Sequence, residues 1–334
     1  MADQAIVIGI KTYPGLTNLI GPCHDALAFR DWLVKPDGGD LDPANIHVRL
    51  TTDFPQPTGV ADAHPVLAEL ETLFRPLVEK AALRQHTEGR LFIFLAGHGF
   101  ADSQDRRSAA LFTAEAVSLL PPHCAVIEYA DFFCRTWAFD EVILIMDACR
   151  TTNALHQIAK APLPRVIPHP NASKVKLFIG FGAGFGQQTR ERAVNGGTVR
   201  GIFTMALLDA LENANPNQLG RVNGSAIKHH IHTVIDSFAA GVAISPPDIT
   251  ADEHQDVLFC SRQASLIDVE FSIDAAHLNR ELVILFGGVN KVHRARVAAS
   301  PVTVPLSPGL YKASIEGTQA STNFEVPTDV KVAL

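Results

Sequence analysis

The chain has little that would tie it to a membrane, to nucleic acid or to an oxidising compartment. Across its 334 residues no apolar run approaches the ~18 residues needed to span a bilayer. Positive charge is not in excess. Lys and Arg total 28 against 35 Asp and Glu, a net charge of −7, so there is no electrostatic footprint for nucleic acid or an acidic membrane surface. The five cysteines, Cys23, Cys124, Cys134, Cys149 and Cys260, are odd in number and far apart. A disulfide framework, a zinc site and a C-x-x-C redox motif are thereby disfavoured. Met1-Ala2-Asp3-Gln4 lacks the basic start of a secretory leader and runs directly into the strand-like Ala5-Ile6-Val7-Ile8-Gly9-Ile10. The expectation is a reduced, cytoplasmic protein with no nucleic-acid or membrane partner.

What is present alternates strand with helix. Short apolar runs at 5–10, 46–50, 91–96, 142–146 and 175–181 read as strands. Between and after them, 21–34, 63–83, 128–137, 201–213 and 225–238 carry helical periodicity. This is the signature of an α/β fold with a mostly parallel sheet flanked by helices. The segment 151–174 breaks the pattern with Pro162, Pro164, Pro168 and Pro170, and reads as a long loop. Beyond Arg262 the composition shifts to Val, Ser and Thr in short alternating runs, such as 267–271, 282–286, 302–304 and 311–315. Turn signals at Gly287-Gly288 and Pro308-Gly309 separate them. The expected organisation is an α/β domain over 1–262 followed by a small all-β, sandwich-like domain over 263–334.

Two of the strand-like runs end in reactive side chains. Leu91-Phe92-Ile93-Phe94-Leu95-Ala96 leads into Gly97-His98-Gly99, and Val142-Ile143-Leu144-Ile145-Met146 leads into Asp147-Ala148-Cys149-Arg150. In open α/β sheets, catalytic groups gather at the carboxyl ends of strands. A histidine and a cysteine there are candidates for a thiol nucleophile and its base, and the flanking glycines let backbone approach a substrate closely. His98 lies 51 residues before Cys149. Caspases carry their histidine about 50 residues upstream of Q-A-C-[RQG]-G, although the glutamine and glycine of that frame are absent here.

With these residues the chain resembles the caspase-like cysteine peptidases, in particular metacaspases and paracaspases. Further stretches are similar in order over about residues 4–260. They are Ala5–Ile10, then Leu19-Ile20-Gly21-Pro22-Cys23-His24-Asp25-Ala26, then Gln188-Thr189, then Gly201-Ile202-Phe203-Thr204. Asp147-Ala148-Cys149-Arg150-Thr151-Thr152-Asn153 lies nearer the paracaspase D-x-C-R-x-x-N than the metacaspase D-S-C-H-S-G. The resemblance implies a cysteine endopeptidase with Cys149 as nucleophile, His98 as base, and the Gly99 and Cys149 amides around the oxyanion. It also implies Asp25 and Asp147 as S1 acids for a P1 arginine or lysine, with Gln188 near where a third S1 residue would fall. A buried carboxylate pair without a cation is costly, so a substrate guanidinium is a natural partner.

The same resemblance places 151–174 where many caspases are cleaved, with Arg165, Lys160 and Lys174 as candidate processing sites. An upstream protease or regulator, and a role in regulated death or defence, follow by the same analogy. No metal ligands are expected. The histidines lack ligand spacing, and Asp102, Asp105 and Glu115 are too scattered to support the calcium dependence common among metacaspases. The rival reading is a catalytically silent scaffold acting through its β domain.

Overall fold

The structure is a computed structural model that describes residues 3–119, 121–153, 156–194, 196–217, 219–251, 256–262, 266–286, 290–326 and 329–334. Two compact units emerge. One comprises 1–214 with 223–260, and the other 215–222 with 261–334.

The first unit is built on a six-stranded sheet. Its strands are β1 (Gln4–Gly9), β2 (Ile46–Leu50), β3 (Thr87–Ala96), β4 (Phe139–Asp147), β5 (Lys176–Phe181) and β6 (Asp248–Ala251). They lie in the order β6-β5-β4-β3-β1-β2. All neighbours are parallel except β6, which runs antiparallel along the edge of β5. Five helices accompany it: α1 (Pro22–Leu33), α2 (Leu67–Ala82), α3 (Val126–Thr136), α4 (Ile202–Asn213) and α5 (Gly224–Ala239).

The central strands are continuous apolar runs because both sheet faces are covered. Successive side chains of β3 go to opposite faces. Leu91, Ile93 and Leu95 join Phe74 of α2 and Phe133 of α3 in one core. Phe92 and Phe94 meet Phe29 of α1, with Phe29 stacked on Phe94 at 4.7 Å.

The expected helix over 63–83 begins later, at Leu67. Pro65 precedes it, and Glu69 turns back to accept the Val66 backbone N–H at 2.8 Å, which sets the start. The expected helix over 128–137 starts two residues earlier and stops at Trp137, whose left-handed backbone (φ 52°) ends it. The edge strand β6 had no counterpart among the expected strands.

Register positions the site. In the β3–β4 ladder Ala96 pairs with Asp147, and on the other side of β3 it pairs with Gly9 of β1. The strands therefore end level, and Gly97-His98 and Ala148-Cys149 leave the sheet at the same edge. After Cys149, residues 156–170 contain no helix or strand. Their four prolines are exposed, while Ala161, Leu163 and Val166 pack against the core.

From 266 onward the second unit is built of β-strands, as expected there, but it also takes in 215–222 from within the expected α/β domain. One sheet places Ile267–Ser272 between Val302–Leu306 and Lys331–Ala333. The other orders Asn290–Arg296, Glu281–Phe286, Gly309–Ile315 and Ser321–Val326. Val269 and Phe271 of the first share a core with Leu282, Ile284, Tyr311 and Phe324 of the second, which makes a small sandwich.

Candidate active site

A cleft of about 490 Å³ opens at the carboxyl ends of β3, β4 and β1. His98, Gly99, Cys149, Asp25, Asp147 and Gln188 all line it, although they span more than 160 positions of sequence.

His98 is gripped from two sides by one loop. Its backbone N–H donates to Tyr13 Oη at 2.9 Å, and the two rings lie 4.8 Å apart. Its Nε2 lies 2.7 Å from the Thr17 carbonyl. A carbonyl only accepts, so Nε2 is the donor there, and in the neutral ring the lone pair of a base falls on Nδ1. The loop is tied internally, since Asn18 Oδ1 accepts the Tyr13 N–H at 2.7 Å and the Leu19 N–H donates to Lys11 O at 2.8 Å. Tyr13 is fully buried, and burial pushes its phenol up, so its oxygen stays neutral.

Cys149 is half-buried, and its Sγ lies 4.0 Å from the Thr189 carbonyl. Burial raises the thiol pKa, Asp147 adds to the rise, and nearby Arg190 works against it. Such a thiol rests protonated and needs a base to become a nucleophile. The next residue anchors the turn. Arg150 is fully buried, lies 4.0 Å over the Phe181 ring and donates to Asp248 Oδ2 at 2.7 Å. Gly99 is dictated by close approach. A Cβ there would come within 2.6 Å of Met146 Cε and 2.9 Å of the Cys149 carbonyl oxygen.

The cleft also carries an acidic wall, formed by Asp25, Asp147 and Glu191, with Arg190 in the same lining. Asp147 is 5% exposed; its Oδ1 accepts from Thr189 Oγ1 at 2.7 Å, and its Oδ2 from the Thr204 hydroxyl at 2.7 Å and the Thr204 N–H at 3.0 Å. Burial nevertheless pushes its carboxyl up, with Glu191 adding to the rise. Asp25, 2% exposed, accepts from Arg200 Nε at 2.7 Å and from the Gly201 N–H at 2.8 Å. Burial, and then the neighbouring Asp147, lift Asp25 to about 7 against the pull of Arg200. A side chain at position 201 would collide with the Asp147 carboxylate, which accounts for the glycine opening the Gly201-Ile202-Phe203-Thr204 stretch.

Residues 2–234 match the model of the peptidase C14 caspase domain. The chain belongs to the caspase-domain peptidase family. It is similar to a probable protease from a Desulfuromonadales bacterium, 28% identical over 232 residues, which make up 66% of this chain and 27% of that protein. The chain thus matches only about a quarter of that relative's length. Among solved structures it is similar to caspase-1 from Spodoptera frugiperda at 14% identity and a TM-score of 0.48, over 78% of this chain and 92% of that one. A protein from Geobacter sulfurreducens aligns at 11% identity and a TM-score of 0.45, over 79% and 98% of the two chains.

Within this caspase domain the structure adds an acid that the sequence reading passed over. Glu191 lines the cleft, and its carboxylate accepts the N–H groups of Ile20 and Gly21 at the start of α1. Gln188, the third S1 candidate, also lines the cleft but is exposed and uncharged. The signal lay three positions on, in the one carboxylate of Gln188-Thr189-Arg190-Glu191. Thr189 itself is explained by its hydroxyl bond to Asp147.

The candidate processing residues lie away from this cleft. Lys160, Arg165 and Lys174 are all exposed, Lys174 within the turn Ala172–Lys174. The backbone around Lys160 is tied on both sides, with the Ala159 N–H donating to His123 Nε2 at 2.8 Å and the Ala161 N–H to Glu128 at 2.6 Å. Among the described residues no three His, Cys, Asp or Glu side chains are grouped as metal ligands, and no helix is long and apolar enough to cross a membrane.

Proposed function

We propose that this caspase-domain peptidase is a cysteine endopeptidase that cuts protein substrates after arginine or lysine. His98 Nδ1 takes the proton of the Cys149 thiol as the sulfur attacks the scissile carbonyl. The tetrahedral oxyanion is held by the Gly99 and Cys149 amides, each worth about 3 kcal/mol in the transition state. The C–N bond then breaks, and the same proton passes from His98 to the leaving amine. Water, activated by His98, hydrolyses the thioester and frees the enzyme.

The observation that carries the reading is the acidic wall beside the thiol, in which Asp147, Asp25 and Glu191 meet in one cleft. Carboxylates raised by burial gain from an incoming cation. A planar guanidinium can pair with two oxygens at once, which favours arginine over lysine.

Cleavage within 151–174 is the activation step in this proposal. Arg165 is the favoured site, exposed between Pro164 and Val166, with Lys160 and Lys174 as alternatives. Mass spectrometry of purified protein should find a cut there in the wild type and an intact chain in Cys149→Ala. The setting is cytoplasmic, within a regulated death or defence pathway, under an upstream protease or regulator.

The test is a fluorogenic peptide panel varying only P1, with and without calcium, on wild type and Cys149→Ala. Cysteine-dependent cleavage after basic residues is the expected result. Cleavage after aspartate would overturn the roles of the acids. Silence on every peptide, with protein cut at 151–174 as well as intact, would favour the scaffold reading.

A further inference from the structure

We propose that Arg200, from behind the cleft lining, is a positioning residue for specificity, which through its ion pair favours the carboxylate form of Asp25 that receives a basic P1 side chain. The inference rests on the reading of the acidic wall as S1.

The same hairpin supplies an acid and a counter-cation to the site. Glu191–Ala193 pairs antiparallel with Val199–Gly201, so that Glu191 stands opposite Gly201 and beside Arg200. From this hairpin Arg200 Nε reaches Asp25 Oδ1 at 2.7 Å, and the Gly201 N–H reaches Oδ2 at 2.8 Å. Asp25 is otherwise surrounded by its own sign, with Asp147 from β4 raising it directly and Glu191 from the hairpin lining the same cleft. His24 on α1 is turned to the Val199 carbonyl at 3.2 Å, and Arg190 acts on Cys149. His98, the remaining titratable group of the lining, is bound to Thr17. Arg200 is therefore the cation in contact with the Asp25 carboxylate among the described residues.

Its burial has a cost that a surface pair would not carry. The Arg200 side chain is 19% exposed, and its terminal NH2 group is buried with no acceptor among the described residues. An unmet guanidinium donor is unfavourable. The compensation lies in the carboxylates. Without a fixed cation, two buried acids side by side would be driven further toward their neutral forms and lose more of the charge that selects a basic side chain. Arg200 engages Asp25 through Nε alone, so each carboxylate oxygen keeps a lone pair for a second donor from the substrate.

The experiment measures kcat/KM against pH for one arginine-P1 peptide. Arg200→Met, and Arg200→Gln as a second variant if Met impairs folding, should shift the acid limb up by about one unit and lower kcat/KM roughly fivefold near neutrality. Activity should recover at alkaline pH, and the loss should lie in KM. Arg200→Lys should restore most of it. In an Asp25→Asn background, Arg200→Gln should add little, because the group it acts on no longer titrates.

An unmoved acid limb would overturn the inference. So would a rise in kcat/KM, which would make Arg200 a plug rather than a support, or an equal loss on the Asp25→Asn background. If wild type cleaves no basic-P1 peptide, the S1 reading falls and takes this inference with it. If wild type cleaves and only the Arg200 variants behave otherwise, this inference falls alone.

Discussion

Tyr13→Phe separates the scaffold of His98 from its chemistry. The phenol oxygen accepts the His98 N–H at 2.9 Å, and the ring is fully buried. Phenylalanine keeps the ring, opens almost no cavity and leaves a buried N–H without its acceptor. Such a loss costs about 1–3 kcal/mol, which for a chain of this size lowers Tm by about 2–6 °C. The Thr17 carbonyl still holds Nε2, so the tautomer survives while the backbone of His98 is freed. Displacement of a catalytic group by 1 Å can cost about 10²-fold, so kcat should fall roughly 10- to 100-fold with KM within about twofold. The assay pairs peptide turnover with thermal unfolding on the same preparation. A lower Tm with unchanged kcat would make Tyr13 a packing residue only. A changed KM with constant kcat would place its effect on substrate binding, and either result would refute the argument.

Gly99→Ala should lower activity by more than about 10²-fold and lower Tm. Its Cβ would lie 2.8 Å from the Ala110 carbonyl and 2.9 Å from that of Cys149, and backbone cannot yield as a flexible side chain would. Asp147→Asn should abolish preference for a basic P1, while stability at neutral pH is retained or gained; urea titration checks the second part. That sign follows because burial raises the Asp147 carboxyl, so its charged form is the unfavourable one in the fold. For Asp25 the folded value, about 7, lies above its ordinary 3.8. Its contribution to stability is fully present below 3.8 and is lost as pH rises through about 7. Cleavage after arginine should therefore grow through the same window in which urea midpoints decline. A midpoint that climbs there in wild type but not in Asp25→Asn would contradict the sign.

That His98 and Cys149 would share one cleft was legible because both follow uninterrupted apolar strands, and such runs mark a sheet covered on both faces. That the strands end level was not, since it depends on the pairing of Ala96 with Asp147. Tyr13 and Thr17 were invisible as partners of His98, being 85 and 81 positions away, and one acts through a carbonyl that any residue could supply. Glu191 was missed for a related reason. Its place in the cleft comes from pairing across the 191–201 hairpin, and nothing in a three-residue strand announces that. The edge strand β6 escaped because Asp248–Ala251 is four residues long, follows Pro246-Pro247 and borrows its apolar contact from β5. Local pattern thus reported what each segment prefers, and tertiary pairing decided which side chains meet.

The carboxylates that the sequence singled out, Asp25 and Asp147, do share the cleft, joined by Glu191, which it did not single out. Folding by itself disfavours what is found there, two nearly buried carboxylates both pushed toward their neutral forms. A sequence that keeps them must recover the cost elsewhere. Part is recovered by fixed donors: the Thr204 and Thr189 hydroxyls on Asp147, the Gly201 N–H and Arg200 on Asp25, and the start of α1 on Glu191. The rest is recovered, on the reading proposed here, when a basic side chain enters. The same ionisation that weakens the empty fold then becomes the binding energy that seats the substrate over Cys149, and stability and specificity draw on one pair of carboxylates in opposite directions.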